Sequence, residues 1–230
     1  MSKAFLKQVI KTEPLLMEAV LSFHCQAATW VEASHLTAAA QQLERCGLLD
    51  IARQSRRGTA RLAAHLPLLA TSAPDRWFLE FMDVRSRLAL VGSKTLLLLA
   101  DYVGLGLNSA AIAQVVLQSQ VRELKSMFGE AGYTFAVKKA PFMIGSRVPT
   151  FRTHDAPLEE RIRLQGRACI ALCLNEQPQT LRQRLALALP QGFLRLDGIA
   201  ASAQHPDAAW PLVRRILLKE VAPQWAPCFA

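Results

Sequence analysis

Gly104-x-Gly106-x-x-Ser109, opening a helix, resembles part of the glycine fingerprint that seats a pyrophosphate at a helix N-terminus. The third glycine is missing, and Asp101-Tyr102 interrupts the passage from any strand into the loop, so a helix-connecting turn is the competing reading. Gly92-Ser93-Lys94-Thr95 has the residue types of a phosphate loop but lacks its Gly-Lys pair and upstream glycine. Cys169 and Cys173 lie four apart on one helical face, the spacing of a metal pair. No further Cys or His is near in sequence, and the pair sits on an apolar stripe, so the two read as buried thiols acting as small hydrophobes. His24-Cys25 are adjacent, which keeps their side chains from facing each other as a nucleophile and its base must. The five histidines are scattered, with no H-E-x-x-H, and no G-x-S-x-G is present. We therefore expect no catalytic residues, no metal, no cofactor and no small-molecule substrate.

The remaining chemistry is charge. The chain of 230 residues carries a formal net charge of +9, with 27 Lys and Arg against 18 Asp and Glu. Such a balance suits nucleic acid, an anionic surface or an acidic protein. Yet no more than two basic residues are consecutive, and they are spread along the whole chain, unlike a DNA-binding arm or a polybasic lipid anchor. Two sets are spaced to share a helical face: Arg53, Arg57 and Arg61, and Arg163 and Arg167. These are the candidate partner-binding residues. Asn108 to Phe128 reads as two short helices around a break and could be taken for a helix-turn-helix, which makes a helical DNA-binding regulator the alternative function. The would-be recognition helix, however, offers only Arg122 and Lys125, while Val121, Leu124, Met127 and Phe128 need a core.

The elements around these residues are helical by pattern. Hydrophobic residues make up 51% and charged residues 20%, a folded profile rich in Leu and Ala and poor in strand formers. The stretch Asp83 to Gly129 organises the rest. Leu88, Val91, Thr95, Leu98 and Leu99 recur at three or four residues, predicting a helix that Gly104 and Gly106 end. Asn108 or Ser109 caps a second helix, and a third is closed by Gly129. Thr12 to Val20, Leu158 to Cys173, Thr180 to Pro190 and Pro211 to Val221 supply further helices. Glu130 to Lys139 fits helix or strand. The fold class expected is all-α: one compact multi-helix domain over residues 1–230, with at most one short strand pair around Tyr133–Val137 and Phe193–Leu196. The predicted core includes Leu88, Leu98, Leu99, Ile112, Val116, Leu124, Ile162 and Ile216. No stretch reads as a membrane span, since Lys94, Asp101 and two glycines interrupt the most apolar one, and the start lacks the pattern of a signal peptide. Five cysteines without framework spacing read as reduced, cytosolic thiols.

Four segments, in order, carry a family resemblance. They are Phe23 to Trp30 followed by His35-Leu36; Gly104 to Leu117 (GLGLNSAAIAQVVL); Ala140 to Gly145 (APFMIG); and a C-terminal set. That set comprises Gly166, Gln177-Pro178, Arg184 to Pro190 and Leu217 to Pro223. Together they resemble the SctK (YscK/PscK-like) family of bacterial type III secretion systems. Gln26 stands where the family pattern has a proline, and the first 20 residues have no counterpart. The resemblance implies a non-enzymatic cytosolic scaffold of the sorting platform at the inner membrane. It would link the cytosolic domain of the ring protein SctD to the pod protein SctQ, reaching the membrane through protein contacts and binding no nucleic acid.

Overall fold

The structure, a computed structural model, describes residues 14–25, 30–35, 45–55, 57–58, 61, 81–145, 149–151, 156–196 and 206–229. Among them every regular element is helical, and no strand of two or more residues occurs. The all-α expectation holds, and the strand pair does not form. Tyr133 lies in a helix that runs on as a π-turn over Phe135–Lys139, and Phe193 and Leu194 lie in a turn. The reason is visible in the buried set: Gly132, Phe135, Ala136 and Ala140 follow helical spacing, whereas Tyr133 and Val137 are only half-buried.

The chain forms two compact units. The first comprises Met1–Ser93, Gln177–Phe193 and Pro227–Ala230. Here α1 (Pro14–Cys25) buries Leu16, Val20 and Phe23, one stripe at three- and four-residue spacing. A 3₁₀-helix, Val84–Leu90, is capped by the Asp83 carboxylate, which accepts the Arg85 N–H at 2.9 Å. Phe23 meets Phe81 and Trp30 edge-on at 5.8 and 5.7 Å, so its ring is held between two aromatic faces. Trp30 itself is half-buried, and Leu36 lies outside the described residues. Two arginines tie this unit together through backbone carbonyls. Arg87 donates to the Phe81 carbonyl at 2.9 Å and to the Cys228 carbonyl. Arg184, in a helix spanning Gln179–Leu187, donates to the His24 carbonyl at 2.8 Å, with its guanidinium 5.1 Å from the Phe23 ring centre. The unit also holds α2 (Leu48–Gln54), preceded by Gly47 at φ 70°, the left-handed conformation that only glycine adopts without strain.

Lys94–Glu176 and Leu194–Ala226 form the second unit. In chain order it contains α3 (Ser93–Leu107), α4 (Ser109–Ala113), α5 (Gln118–Thr134), the π-turn, α6 (Ala140–Met143), α7 (Leu158–Leu174), and, after the Gln179–Leu187 helix α8, α9 (Pro206–Ile216). The predicted central helix does not begin at Leu88. Gly92, at φ 86°, breaks the chain between the 3₁₀-helix and α3. Gly104 and Gly106, expected to end the helix, lie inside α3, and Gly129, at φ 75°, kinks α5 rather than ending it. Pro211 falls inside α9 instead of opening it.

The core of this unit contains Leu96, Leu99, Val103, Ile112, Leu124, Phe135, Ile162 and Ile216, all nearly inaccessible to water. Two expected core residues are outside it. Leu98 is 44% exposed, because Leu96, Leu99, Ala100 and Val103 define the buried stripe of α3. Val116 is 89% exposed, because α4 stops at Ala113 and leaves Val116 in the connector. Among the described residues no single helix is long and apolar enough to cross a membrane.

Candidate partner-binding surface

Two glycines set the backbone of the second unit. A Cβ on Gly104 would lie 1.9 Å from the Ile162 carbonyl oxygen, and one on Gly166 would lie 1.9 Å from the Ala100 carbonyl oxygen. Helices α3 and α7 therefore cross with backbone against backbone at two reciprocal positions. Any side chain there would hold them apart. The glycine motif that resembled a nucleotide fingerprint is a packing device: its first residue is a crossing point, and its second faces Ile144 and Ile216 at ordinary contact distance.

Asn108 locks the same crossing. Buried at the end of α3, it donates from Nδ2 to the Gly104 carbonyl and to Gln165 Oε1, both at 2.9 Å. Its Oδ1 accepts from Arg161 Nε at 2.9 Å. Its amide thereby joins the last turn of α3 to two successive turns of α7, which meets the hydrogen-bonding needs of a buried amide. The sequence reading named Asn108 only as a helix cap. Its side chain makes no capping bond to α4, and nothing in the local sequence marks its bond to Arg161, 53 residues away.

The buried face of α7 carries Ile162, Cys169 and Cys173, as expected from the stripe. Burial pushes the Cys169 thiol well above its ordinary value, with the neighbouring Cys173 acting in the same direction. A thiol held protonated is a poor nucleophile. Among the described residues no three His, Cys, Asp or Glu side chains gather as metal ligands would.

Arg163 and Arg167 lie off that stripe, on the flank of α7. Arg163 is exposed, lies 5.8 Å from the Phe128 ring centre and pulls the Asp101 carboxyl toward its charged form. Burial outweighs that pull and leaves Asp101 above the usual carboxylate range. Arg167, one turn on, is half-buried. The second arginine set is not one helical face. Arg53 lies in α2, which ends at Gln54, and Ser55 is extended at φ −100° and ψ 134°. The Gly58 N–H then bonds back to Ser55 Oγ at 2.9 Å, and a Cβ on Gly58 would strike the Ala52 carbonyl oxygen at 2.1 Å. Arg57 and Arg61, both exposed, thus follow a break in the chain rather than continuing α2. The periodicity argument fails at the extended backbone of Ser55.

Several basic side chains bond to neutral oxygens. Arg87, Arg184 and Arg215 each donate to backbone carbonyls, and Arg161 donates to Asn108. These contacts order the guanidinium without cancelling its charge. Lys125 pairs with Glu130 at 2.9 Å and Lys139 with Glu220 at 2.7 Å. The helix once comparable to a recognition helix, α5, buries Leu124 and Phe128 in the core and spends Lys125 on Glu130.

The first unit is braced by Arg87 and Arg184 and the second by the glycine crossing of α3 and α7, and the whole chain carries a formal net charge of +9. The chain matches the family described as YOP proteins translocation protein K (YscK) over residues 28–229 and belongs to that family, a family of type III secretion proteins. None of the curated proteins compared with the chain matches it, and none of the solved structures does.

Proposed function

We propose that this protein is a non-enzymatic adaptor of the type III secretion sorting platform. In this reading it works at the cytosolic face of the bacterial inner membrane and links the cytosolic domain of the ring protein SctD to the pod protein SctQ. The observation that carries the reading is the family match over residues 28–229. The net positive charge supports it: a scaffold in an exchanging platform needs contacts that form fast and release, and complementary charge supplies on-rate and orientation more than raw affinity. Arg57 and Arg61 in the first unit and Arg163 in the second are exposed, and guanidinium forks pair bidentately with carboxylates.

The test is a pull-down of purified SctD cytosolic domain and SctQ on the full chain, repeated at rising salt and with Arg57/Arg61 or Arg163/Arg167 changed to Glu. Both partners are expected to bind, with at least one weakened by salt and by one of the reversals. Absence of binding by both partners refutes the adaptor reading. Binding by both that ignores salt and both reversals refutes the role of these arginines alone.

A further inference from the structure

We propose that Phe142, with the basic residues around it, is the docking point for an acidic, partly apolar segment of a partner protein. Phe142 and Val116 are each 89% exposed and Leu117 is 62% exposed, although their neighbours Met143 and Ile112 are buried. Phe142 stands on α6, and Val116 and Leu117 stand in the connector that leaves α4. Helix α4, which precedes that connector, packs against both α6 and the π-turn. Single exposed apolar residues are ordinary on a protein surface; Phe142 is set apart because its almost fully exposed ring stands among basic residues of the π-turn and of α9.

The residues around Phe142 specify the occupant. Lys138 and Lys139, both exposed, come from the π-turn one turn before Phe142. Arg215, also exposed, reaches across from α9 and donates to the Met143 carbonyl at 2.5 Å, which fixes its charge beside Phe142. Only Lys139 has a carboxylate in reach among the described residues, Glu220 at 2.7 Å, so cations outnumber that single acid. A second copy of the chain would set these cations against one another across a two-fold axis. A bilayer would meet α6, a helix of four residues, too short to lie in a lipid interface as an amphipathic helix does. An acidic segment with an apolar side chain for Phe142 satisfies both halves of the surface: the ring supplies a desolvated anchor, and the cations steer and orient the approach.

This inference rests on the adaptor reading and names the chemistry of one partner contact. The test measures equilibrium binding of the SctD cytosolic domain and of SctQ to the full chain, to Phe142→Ser and to the Lys138→Glu/Arg215→Glu double variant, at low and high salt. All three proteins should share one circular-dichroism spectrum; Phe142→Ser should keep the wild-type melting point because Phe142 is exposed, and the double variant should melt slightly lower because Arg215→Glu loses the bond to the Met143 carbonyl. For one partner, Phe142→Ser is expected to weaken binding by about tenfold or more, the loss of an anchor residue. The double variant should weaken the same partner and flatten its salt dependence. If both partners bind and both variants keep wild-type affinity, the docking surface is refuted while the adaptor reading stands. If neither partner binds the wild-type chain, the two fall together. Loss on Phe142→Ser without loss on charge reversal refutes the acidic occupant. So does a wild-type dimer in sedimentation that Phe142→Ser dissolves, or Phe142-dependent binding to phosphatidylcholine–phosphatidylglycerol vesicles.

Discussion

Replacing Gly104 by Ala puts a methyl group where the α7 backbone already lies. The new Cβ would be 1.9 Å from the Ile162 carbonyl oxygen and 2.8 Å from its carbonyl carbon. Carbon-to-oxygen contacts across helices settle at roughly 3.3 Å, so α3 and α7 must part by about 1.4 Å. The atom in the way belongs to a helix and cannot rotate aside. Overpacking of this sort costs about 3 kcal/mol, at the upper end of the usual range because backbone rather than side chain must move. The Gly-to-Ala change returns about 1 kcal/mol of helix propensity. The net loss is about 2 kcal/mol, which for a chain of this size lowers the melting temperature by about 4–8 °C. Gly106→Ala, two residues away in the same helix, is the control. Its Cβ would sit 3.4 Å from Ile144 Cδ1 and 3.5 Å from Ile216 Cδ1, ordinary contacts, so it should keep the propensity gain and melt at or above wild type. Thermal unfolding followed by circular dichroism, with the urea midpoint as a second measure, separates the pair. A Gly104→Ala protein as stable as Gly106→Ala would refute the backbone crossing.

Two further outcomes follow from single side chains. Arg87→Met keeps most of the apolar stem but strips donors from the Phe81 and Cys228 carbonyls, and it should cost about 2 kcal/mol, read as a lower urea midpoint with unchanged slope. Asp101 is held above the usual carboxylate range chiefly by burial, with Arg163 opposing. Its folded state therefore binds the proton more tightly than the unfolded state, and ionised Asp101 subtracts from stability above its folded value. Asp101→Asn should raise stability at pH 7 and lose that advantage below the ordinary value of 3.8, where both states are protonated in the parent. An Asn variant less stable than wild type at pH 7 contradicts this account.

The sequence by itself determined the helical class, the stripes of α5 and α7, and the burial of Cys169 and Cys173. These follow from periodicity, which is local and survives in a single string of residues. Leu88, Leu99, Ile112, Leu124, Ile162 and Ile216 were legible as core for that reason. The ordered motifs also pointed to the secretion family that the match over residues 28–229 establishes. Tertiary structure decided what periodicity leaves open. A glycine in an apolar run reads as a stop, yet Gly104 and Gly166 are there because another helix needs the space of their missing side chains. Gly92 does break the chain, by adopting a positive φ that the run around it does not announce. Val116 fits the helical spacing of its segment and is nonetheless exposed, since the helix ends three residues earlier. Arg53 and Arg57 fit one face by count, and the extended backbone of Ser55 separates them. The bond from Arg161 to Asn108 spans 53 residues and exists only because α3 and α7 cross. In each case a contact distant in sequence, or a backbone angle that such contacts fix, overrode a local preference worth about 1 kcal/mol or less per residue.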